Sequence, residues 1–293
     1  MDVGFIGVGI MGSRMVANLI KGGQRIWAYD VSDAALARVI ELGAKPCGSA
    51  REAAEGRDAV MLSLTTPEVV EKVVLEGVLT ASRVPPLVID TSTSLPDVSR
   101  RIASLALEKS CQFIDSPVSG GADGAAAATL SVMVGGPHDA FEKALPLLRL
   151  IGKDVFHIGD TGSGNTMKLL NNSLGGVARA AIAEVMTLGT LAGLQPRKVY
   201  EVISASSGNS RSFQNSVPKL LKGDFEPGFM VRLMHKDLDL ATRLGQELGM
   251  PMPVVSAVKQ VYQAAKAAGL GGKDVTALAI PLEQLMGVET RDK

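Results

Sequence analysis

Short hydrophobic runs alternate with helical patterns through the first half of the chain. Residues 3–8, 59–64 and 87–92 are rich in Val, Ile and Leu, and segments with apolar positions at helical spacing separate them. Strands that alternate with helices of this length predict a parallel sheet with helices on both faces. The other predicted strands are residues 25–30, 112–118, 130–136 and 154–159, and the first two predicted helices are residues 11–23 and 33–43.

The strand pattern ends near residue 164, and only helical patterns follow. Residues 165–192 form one long, mostly apolar pattern. Further helices are predicted over residues 196–204, 212–221, 230–248, 254–268 and 272–287. We therefore predict an α/β domain over residues 1–163 and an all-α domain over residues 164–293, which begins with a long interdomain helix over about residues 165–192.

Composition argues against several classes of partner. The 293 residues include 30 basic and 30 acidic side chains, so the formal net charge is zero and nothing indicates a nucleic-acid partner. Cys47 and Cys111 lack metal-ligand spacing and fit a reducing compartment. Because Glu184 or glycines interrupt the longest apolar stretches, we expect no membrane partner. The first residues enter a strand pattern at once, which favours a cytoplasmic protein without a signal peptide.

A glycine pattern opens the chain. Gly7, Gly9 and Gly12 have the spacing G-x-G-x-x-G, which is a weak signal alone because glycines are common. Here the pattern lies between a predicted buried strand and a predicted helix, as in the first turn of a dinucleotide-binding unit. This context favours a Rossmann fold, with a doubly wound, mostly parallel sheet, over a structural glycine turn.

An acidic residue ends the second predicted strand. Asp30 follows Gly12 by 18 residues. A carboxylate at this position accepts hydrogen bonds from the adenosine ribose hydroxyls and repels a 2′-phosphate. Asp30 therefore predicts NAD rather than NADP, although a carboxylate that caps the following turn remains the alternative.

Three segments are candidates for the reaction site, and the first two offer groups suited to the reaction. Ser119, Gly120 and Gly121 follow a predicted strand, where a hydroxyl and backbone N–H groups suit a carboxylate, but an ordinary glycine loop has the same pattern. Lys168 and Asn172 are four residues apart and share one face of the long helix. A lone lysine on a helix is more often a solvated surface charge.

Two features favour a functional lysine at position 168. The residues around it are apolar, and the helix follows a glycine-rich junction between two domains, where clefts form. Desolvation would lower the lysine pKa from about 10.4, so that the neutral amine accepts a proton from an alcohol. A third segment, residues 233–241, contains Lys236 and Asp237, which its spacing alone predicts to be a surface pair, and Asp239 with Arg243 at i,i+4 spacing.

Five segments together resemble the β-hydroxyacid dehydrogenase family, which includes 3-hydroxyisobutyrate dehydrogenase. They are GFIGVGIMGSRMVANL, DTSTSLP, DSPVSGGADGAAAATLSVMVGG, GDTGSGNTMKLLNN and KDLDLA, and they span essentially the whole chain in order. The resemblance implies interconversion of a short 3-hydroxy acid and its semialdehyde with NAD or NADP, in a homodimer or homotetramer.

The resemblance also assigns roles to residues. It implies Lys168 as the catalytic acid/base, with Asn172 beside it to hold the substrate, and Ser119 and Gly120, with Gly121 after them, at the substrate carboxylate. The cofactor-binding set that we predict from the pattern and the resemblance is Gly7, Gly9, Met11, Gly12, Asp30, Leu64, Thr93 and Lys236.

Departures from the family pattern leave alternatives open. Ala128 stands where the family usually has glycine, and Asn209 replaces an arginine in a segment that can form the substrate pocket. An NADPH-linked semialdehyde, glyoxylate or imine reductase of the same superfamily is the near alternative. Imine reductases generally lack the lysine, so Lys168 argues against them. A non-catalytic dinucleotide-binding module is the alternative of another class, and the joint presence of Lys168, Asn172 and Ser119 argues against it.

Overall fold

Two compact units make up the chain, Met1–Lys168 and Leu169–Lys293. The structure is a computed structural model that describes residues 1–292. The domain boundary predicted after residue 163 stays a prediction, because one continuous helix runs through this region.

The first unit is built on one sheet, which contains nine strands within residues 1–292. Its order is β3-β2-β1-β4-β5-β6-β8-β7, and β9 also pairs with β8. The six strands from β3 to β6 are mutually parallel, whereas β8 runs antiparallel to β6 and β7 and parallel to β9. The strands are β1 (Asp2–Ile6), β2 (Arg25–Tyr29), β3 (Lys45–Pro46), β4 (Ala59–Leu62), β5 (Leu87–Asp90), β6 (Gln112–Asp115), β7 (Val118–Ser119), β8 (Leu130–Gly135) and β9 (Gly152–Gly159). This order and direction confirm the predicted Rossmann fold.

Helices cover both faces of the sheet. Alternate residues of each strand point to opposite faces: Met61 and Ile89 contribute to one apolar core, and Leu62 and Val88 contribute to the other. Burial on both sides explains why these strands read as continuous hydrophobic runs. The helices of this unit are α1 (Ile10–Lys21), α2 (Asp33–Ile40), α3 (Ala50–Ala54), α4 (Pro67–Glu76), α5 (Pro96–Leu107), α6 (Gly121–Ala126) and α7 (His138–Ile151).

The second unit is helical. After α8 (Ser163–Leu191) its α-helices are α9 (Pro196–Ser204), α10 (Arg211–Lys222), α11 (Val231–Glu247), α12 (Pro253–Ala267) and α13 (Ala279–Met286). Its core brings together Met186, Val217, Leu238 and Tyr262, one from each of α8, α10, α11 and α12. These helices confirm the predicted all-α region.

One predicted helix is wrong in detail. Residues 272–287 were expected to form a single helix, but a 3-10 turn, Val275–Leu278, precedes α13. The buried carboxylate of Asp274 accepts hydrogen bonds from the backbone N–H groups of Gly228, Phe229 and Thr276. The first two bonds tie Asp274 to another segment, and the third caps the 3-10 turn, so that the chain makes a tighter turn than an α-helix at this point.

Helix α8 is both long and apolar. Its 29 residues are long and apolar enough to cross a membrane, and a third of its most apolar window is buried. One such helix is weak support for a membrane span, because a core helix of a soluble protein passes the same test. Buried Lys168 and Asn172 and the charged residues Arg179 and Glu184 all lie within it, and each is costly in lipid.

Ala128 adopts a backbone conformation that favours glycine. Its φ angle is 54°, in the left-handed region, between the end of α6 and the start of β8. A side chain in this region costs roughly 1–2 kcal/mol, because the Cβ atom approaches a carbonyl oxygen. This strain gives a physical reason for the glycine that the related family usually has at this position.

We therefore expect Ala128→Gly to stabilise the protein. The free energy of unfolding, measured by urea denaturation, should rise by about 1 kcal/mol, because glycine removes the strain at φ 54°. Ala127→Gly is the matched control: Ala127 is exposed and has a right-handed φ of −82°, so this variant should lose stability. An Ala128→Gly protein less stable than the wild type would contradict the inference that the backbone of Ala128 is strained.

Candidate active site

The glycine pattern forms the turn between β1 and α1. A Cβ atom on Gly7, whose φ is +91°, would lie 2.4 Å from the carbonyl oxygen of Ser63, and one on Gly12 would lie 2.0 Å from the carbonyl oxygen of Gly7. Both positions therefore exclude every larger residue. A Cβ atom on Gly9 would meet nothing within 4 Å, so its backbone borders open space that a ligand can approach.

The first turn of α1 is suited to a phosphate group. The helix begins at Ile10 after Gly9, and within the described chain no side chain caps it and no acidic residue lies in its first turn. Its first N–H groups and the positive end of its dipole are therefore available to an anion. The open space at Gly9 and these free donors fit the pyrophosphate of a dinucleotide. Predicted Met11 is half-buried in this same turn.

Asp30 lies directly after β2 and its carboxylate is held in place. Oδ2 accepts a hydrogen bond from the N–H of Val8 at 2.7 Å, and Oδ1 accepts one from the N–H of Ser32 at 2.9 Å. The first bond ties Asp30 to the glycine turn itself. Each oxygen keeps a further lone pair, so the carboxylate can still accept from ribose hydroxyls.

The other predicted cofactor residues of the first unit lie after neighbouring strands. Leu64 follows β4; its N–H donates to Ser92 Oγ at 2.8 Å, and its side chain packs near Gly7. Thr93 follows β5 and is half-buried. Because β1, β4 and β5 are adjacent and parallel, their carboxyl ends bring Gly7, Leu64 and Thr93 to one edge of the sheet, where such folds bind ligands.

Ser119, Gly120 and Gly121 form a sharp turn between β7 and α6. The φ angles of Gly120 and Gly121 are +136° and +65°, which glycine adopts without strain. Ser119 ends β7, which pairs with β8, and its side chain is half-buried. The turn presents a hydroxyl and backbone N–H groups, which are donors that suit a carboxylate, and its role in substrate binding stays a prediction.

Lys168 and Asn172 are both buried, with 6% of the surface of each residue exposed. They lie one turn apart on α8. This burial excludes the alternative that Lys168 is a solvated surface charge. A buried lysine is rare without a structural or chemical role.

Asn172 belongs to a polar network in the second unit. Its Nδ2 donates to Asp237 Oδ2 at 2.6 Å, and its Oδ1 accepts from Asn171 Nδ2 at 3.1 Å. The other oxygen of Asp237 lies 3.1 Å from Lys236 Nζ. The carboxylate thus orients the amide of Asn172 and pairs with the predicted cofactor residue Lys236.

The structure corrects the sequence interpretation of Asp237. It was expected to form a surface pair with Lys236, and although the pair exists, Asp237 is only 3% exposed. The apolar spacing of α11 contained a signal, because Asp237 follows buried Met234 by three residues and precedes buried Ala241 by four. The neighbouring i,i+4 pair of Asp239 and Arg243 is confirmed at 2.9 Å.

Asn209 stands where the family that the sequence resembles usually has arginine, and its side chain forms hydrogen bonds with nearby residues of the chain. Its Nδ2 donates to the carbonyl of Ser204 at 2.9 Å, and its Oδ1 accepts from Gln214 Nε2 at 2.8 Å. Gln214 in turn accepts from the hydroxyl of Tyr200 at 2.8 Å. Asn209 therefore stabilises the turn before α10.

Sequence reasoning missed two buried polar residues, one at the end of β6 and one in the first turn of α8. Asp115 and Asn165 are both fully buried, and they hydrogen-bond to each other. Burial raises the pKa of Asp115 to about 6, although the N–H groups of Gly162 and Asn165 oppose the shift. The sequence contained a signal for Asp115, because a carboxylate ends a hydrophobic strand there. It contained no signal that Asn165 would be its partner.

Comparison with known proteins decides the family. Residues 2–159 match the family model for the NAD binding domain of 6-phosphogluconate dehydrogenase, and residues 162–282 match the NAD-binding model of NADP-dependent 3-hydroxyisobutyrate dehydrogenase. The chain belongs to the β-hydroxyacid dehydrogenase family. It is therefore an NAD-binding oxidoreductase of the hydroxyacid dehydrogenase type.

Individual relatives match over nearly their whole length. The 2-(hydroxymethyl)glutarate dehydrogenase of Eubacterium barkeri is 39% identical over 98% of this chain and 97% of the relative. A 3-hydroxyisobutyrate dehydrogenase of Pseudomonas aeruginosa is 37% identical over 89% of this chain and 91% of its own. The crystal structure of a 3-hydroxyisobutyrate dehydrogenase from Salmonella typhimurium superimposes with a TM-score of 0.88 at 32% identity, covering 96% of this chain and 99% of that one.

The position of Asp30 predicts a change in cofactor preference. Asp30→Ala should weaken NADH binding about tenfold or more, because hydrogen bonds to a charged acceptor are lost. NADPH should be affected less, since the variant no longer repels a 2′-phosphate. Fluorescence titration of both nucleotides measures the two Kd values. Asp33→Ala, which removes an exposed carboxylate three residues later, should leave both unchanged. If the ratio of the Kd values for NADH and NADPH is the same in Asp30→Ala as in the wild type, Asp30 does not determine the cofactor preference.

Proposed function

We propose that this protein oxidises a short-chain 3-hydroxy acid to its semialdehyde with NAD, and catalyses the reverse with NADH, using Lys168 as general acid/base. The observation that carries the proposal is the pair of buried residues Lys168 and Asn172, one turn apart on α8. The match over nearly the whole chain to a 2-(hydroxymethyl)glutarate dehydrogenase supports it.

Lys168 supplies the proton transfer in this proposal. In the oxidation its neutral amine accepts the proton of the substrate hydroxyl, and in the reduction its ammonium returns that proton to the carbonyl oxygen. Bound NAD supplies the acceptor for the hydride. Burial of Lys168 keeps bulk water from competing with the substrate for the amine.

Asn172 holds the substrate beside the lysine. One Nδ2 hydrogen is committed to Asp237 and one lone pair of Oδ1 to Asn171. The amide therefore retains one N–H and one lone pair for the hydroxyl or carbonyl oxygen of the substrate. Because Asp237 is buried and charged, it fixes the amide in a single orientation.

Ser119 and Gly120 hold the substrate carboxylate. The Ser119 hydroxyl and the backbone N–H groups of this turn are donors of the type that a carboxylate accepts. The relatives are named for 2-(hydroxymethyl)glutarate and 3-hydroxyisobutyrate, and both compounds carry a primary alcohol on the carbon next to the one that bears a carboxylate. We propose the same arrangement of hydroxymethyl and carboxylate groups for the substrate of this chain.

Replacing the lysine tests the proposal directly. Lys168→Ala should lower kcat about 10²- to 10⁴-fold, because the proton acceptor is removed. The Kd for NADH should stay nearly unchanged. Stopped-flow and steady-state assays of NADH formation with a panel of short 3-hydroxy acids give kcat, and fluorescence titration gives Kd.

Two comparisons make the lysine experiment decisive. Lys153→Ala removes an exposed lysine in β9 and should retain wild-type kcat. Wild-type kcat in Lys168→Ala would remove Lys168 from the reaction. If wild-type protein binds NADH tightly but produces no signal with any hydroxy acid or semialdehyde, the proposed reaction itself is wrong.

We further propose that the exposed face of α8 binds a second copy of the chain, so that the enzyme is a homodimer or a homotetramer. Leu170, Leu174, Val185 and Leu188 are 51%, 77%, 45% and 63% exposed. Their helical spacing places them on one side of α8, opposite the face of Asn172. A continuous apolar stripe of this length is unfavourable in water and is typical of a subunit interface.

Charges on the α8 stripe should break the assembly. The double variant Leu174→Glu/Leu188→Glu should be monomeric, because burying two carboxylates in an apolar interface is costly. Size-exclusion chromatography with light scattering measures the mass. Leu248→Glu, at an exposed leucine outside α8, should keep the wild-type mass. A monomeric wild type, or an unchanged mass in the double variant, would contradict the interface.

A further inference from the structure

The start of α8 is held by the carboxylate of Asp115. Asp115 is the last residue of β6; its Oδ1 accepts from the N–H of Gly162 at 2.7 Å, and its Oδ2 accepts from the N–H of Asn165 at 2.7 Å. Both donors would otherwise be unpaired at a helix N-terminus. A side chain 50 residues away in sequence therefore caps this helix in place of a local side chain.

The side chain of Asn165 makes two more buried contacts. Its Oδ1 accepts from the N–H of Ser94 at 2.8 Å, and its Nδ2 donates to Ser99 Oγ at 3.0 Å. Asn165 is fully buried, and Ser94 and Ser99 are 0% and 1% exposed. One residue thus joins the first turn of α8 to both the segment after β5 and the first turn of α5.

Close packing supports these hydrogen bonds. A Cβ atom on Gly164 would lie 2.3 Å from the carbonyl oxygen of Met133 and 2.7 Å from that of Asp115. A Cβ atom on Gly135 would lie 2.6 Å from the backbone nitrogen of Gly164. The helix therefore begins in direct backbone contact with the ends of β6 and β8, and has no space to shift toward the sheet.

We propose that Asn165 and Asp115 are positioning residues for Lys168, an inference that rests on the proposed role of Lys168. The lysine follows Asn165 by three residues, so less than one helical turn separates the anchor from the base. Ser94, which Asn165 also binds, is adjacent to the predicted cofactor residue Thr93. The side-chain amide of Asn165 therefore fixes the position of Lys168 relative to the segment that contains Thr93.

The charge of Asp115 suits this role near neutral pH. Burial raises the pKa of Asp115 to about 6, so the carboxylate is ionised above that value. A negative charge at the N-terminus of α8 interacts favourably with the helix dipole. Its two hydrogen bonds are then charge-assisted and hold the helix more firmly than neutral bonds.

Asn165→Ala tests the proposal. Misplacing a catalytic group by about 1 Å costs up to about a hundredfold in rate, so kcat should fall about tenfold to a hundredfold while the Kd for NADH changes less than about twofold. The pH profile of kcat should also move, because the surroundings of Lys168 change. A residue that only stabilises the fold would lower the melting temperature and leave kcat per folded active site and the profile unchanged.

Two further variants separate positioning from general stability. Thr166→Ala is the matched control: among the described residues its hydroxyl donates to the carbonyl of Gly162 at 2.9 Å, one residue before α8, and to no group of β5 or α5, so it should keep kcat. Ser99→Ala removes one of the two Asn165 contacts and should give a smaller loss than Asn165→Ala. Ser99→Ala also serves if Asn165→Ala fails to fold, and wild-type kcat and profile in that variant would then overturn the proposal.

A readout without turnover distinguishes the two proposals. The rate at which trace acetic anhydride acetylates Lys168, followed by mass spectrometry, should change in Asn165→Ala and stay constant in Thr166→Ala. Failure of the wild type to oxidise any hydroxy acid would refute the proposed reaction, whereas unchanged Lys168 labelling in Asn165→Ala would refute the positioning role. Wild-type kcat in Asn165→Ala, or an equal loss in Thr166→Ala, would also refute it.

Discussion

The buried carboxylate of Asp115 joins the sheet of the first unit to the helix that carries Lys168. Its two oxygens accept the N–H groups of Gly162 and Asn165, and these bonds satisfy donors that have no other partner in the helix. Placing a charge there is costly, as the raised pKa of Asp115 indicates. The two N–H groups offset part of this cost. The helix consequently begins at a defined place on the sheet, with Gly135 and Gly164 in backbone contact.

A second constraint shapes the cofactor edge. Gly7 and Gly12 have no space for a side chain, whereas Gly9 faces open space, so three glycines of one motif serve two different purposes. Asp30 bonds to the N–H of Val8 and thereby ties the carboxylate that we predict to select the cofactor to the turn that we predict to bind its phosphates. A change at either place would therefore alter the geometry of the other.

The helical unit uses the same device with different groups. Asp237 is buried, orients Asn172 and pairs with Lys236. In both units a buried aspartate is placed next to a residue on α8, and in both the aspartate comes from a distant part of the chain. Buried polar networks of this kind cost stability unless every group is paired.

Much of this protein could be read from its sequence. The alternating hydrophobic runs determined the strands, because strands buried on both faces must be apolar throughout. The spacing of Gly7, Gly9 and Gly12 determined the cofactor turn, and the interval of four between Lys168 and Asn172 placed them on one helix face. Each of these signals is local, since backbone geometry alone converts a sequence interval into a direction. Short elements such as β3, α3 and α6 lacked enough residues to form a period.

Only the tertiary structure decided which distant groups meet. The burial of Lys168, the 50-residue separation of Asp115 from Asn165 and the 65-residue separation of Asn172 from Asp237 all depend on how the helices pack. A polar residue in an apolar segment signals that a partner exists. A hydrogen bond depends on distance in space, however, and not on separation in the sequence. The partner is therefore selected by the folded chain, and the local pattern that predicts each element does not contain it.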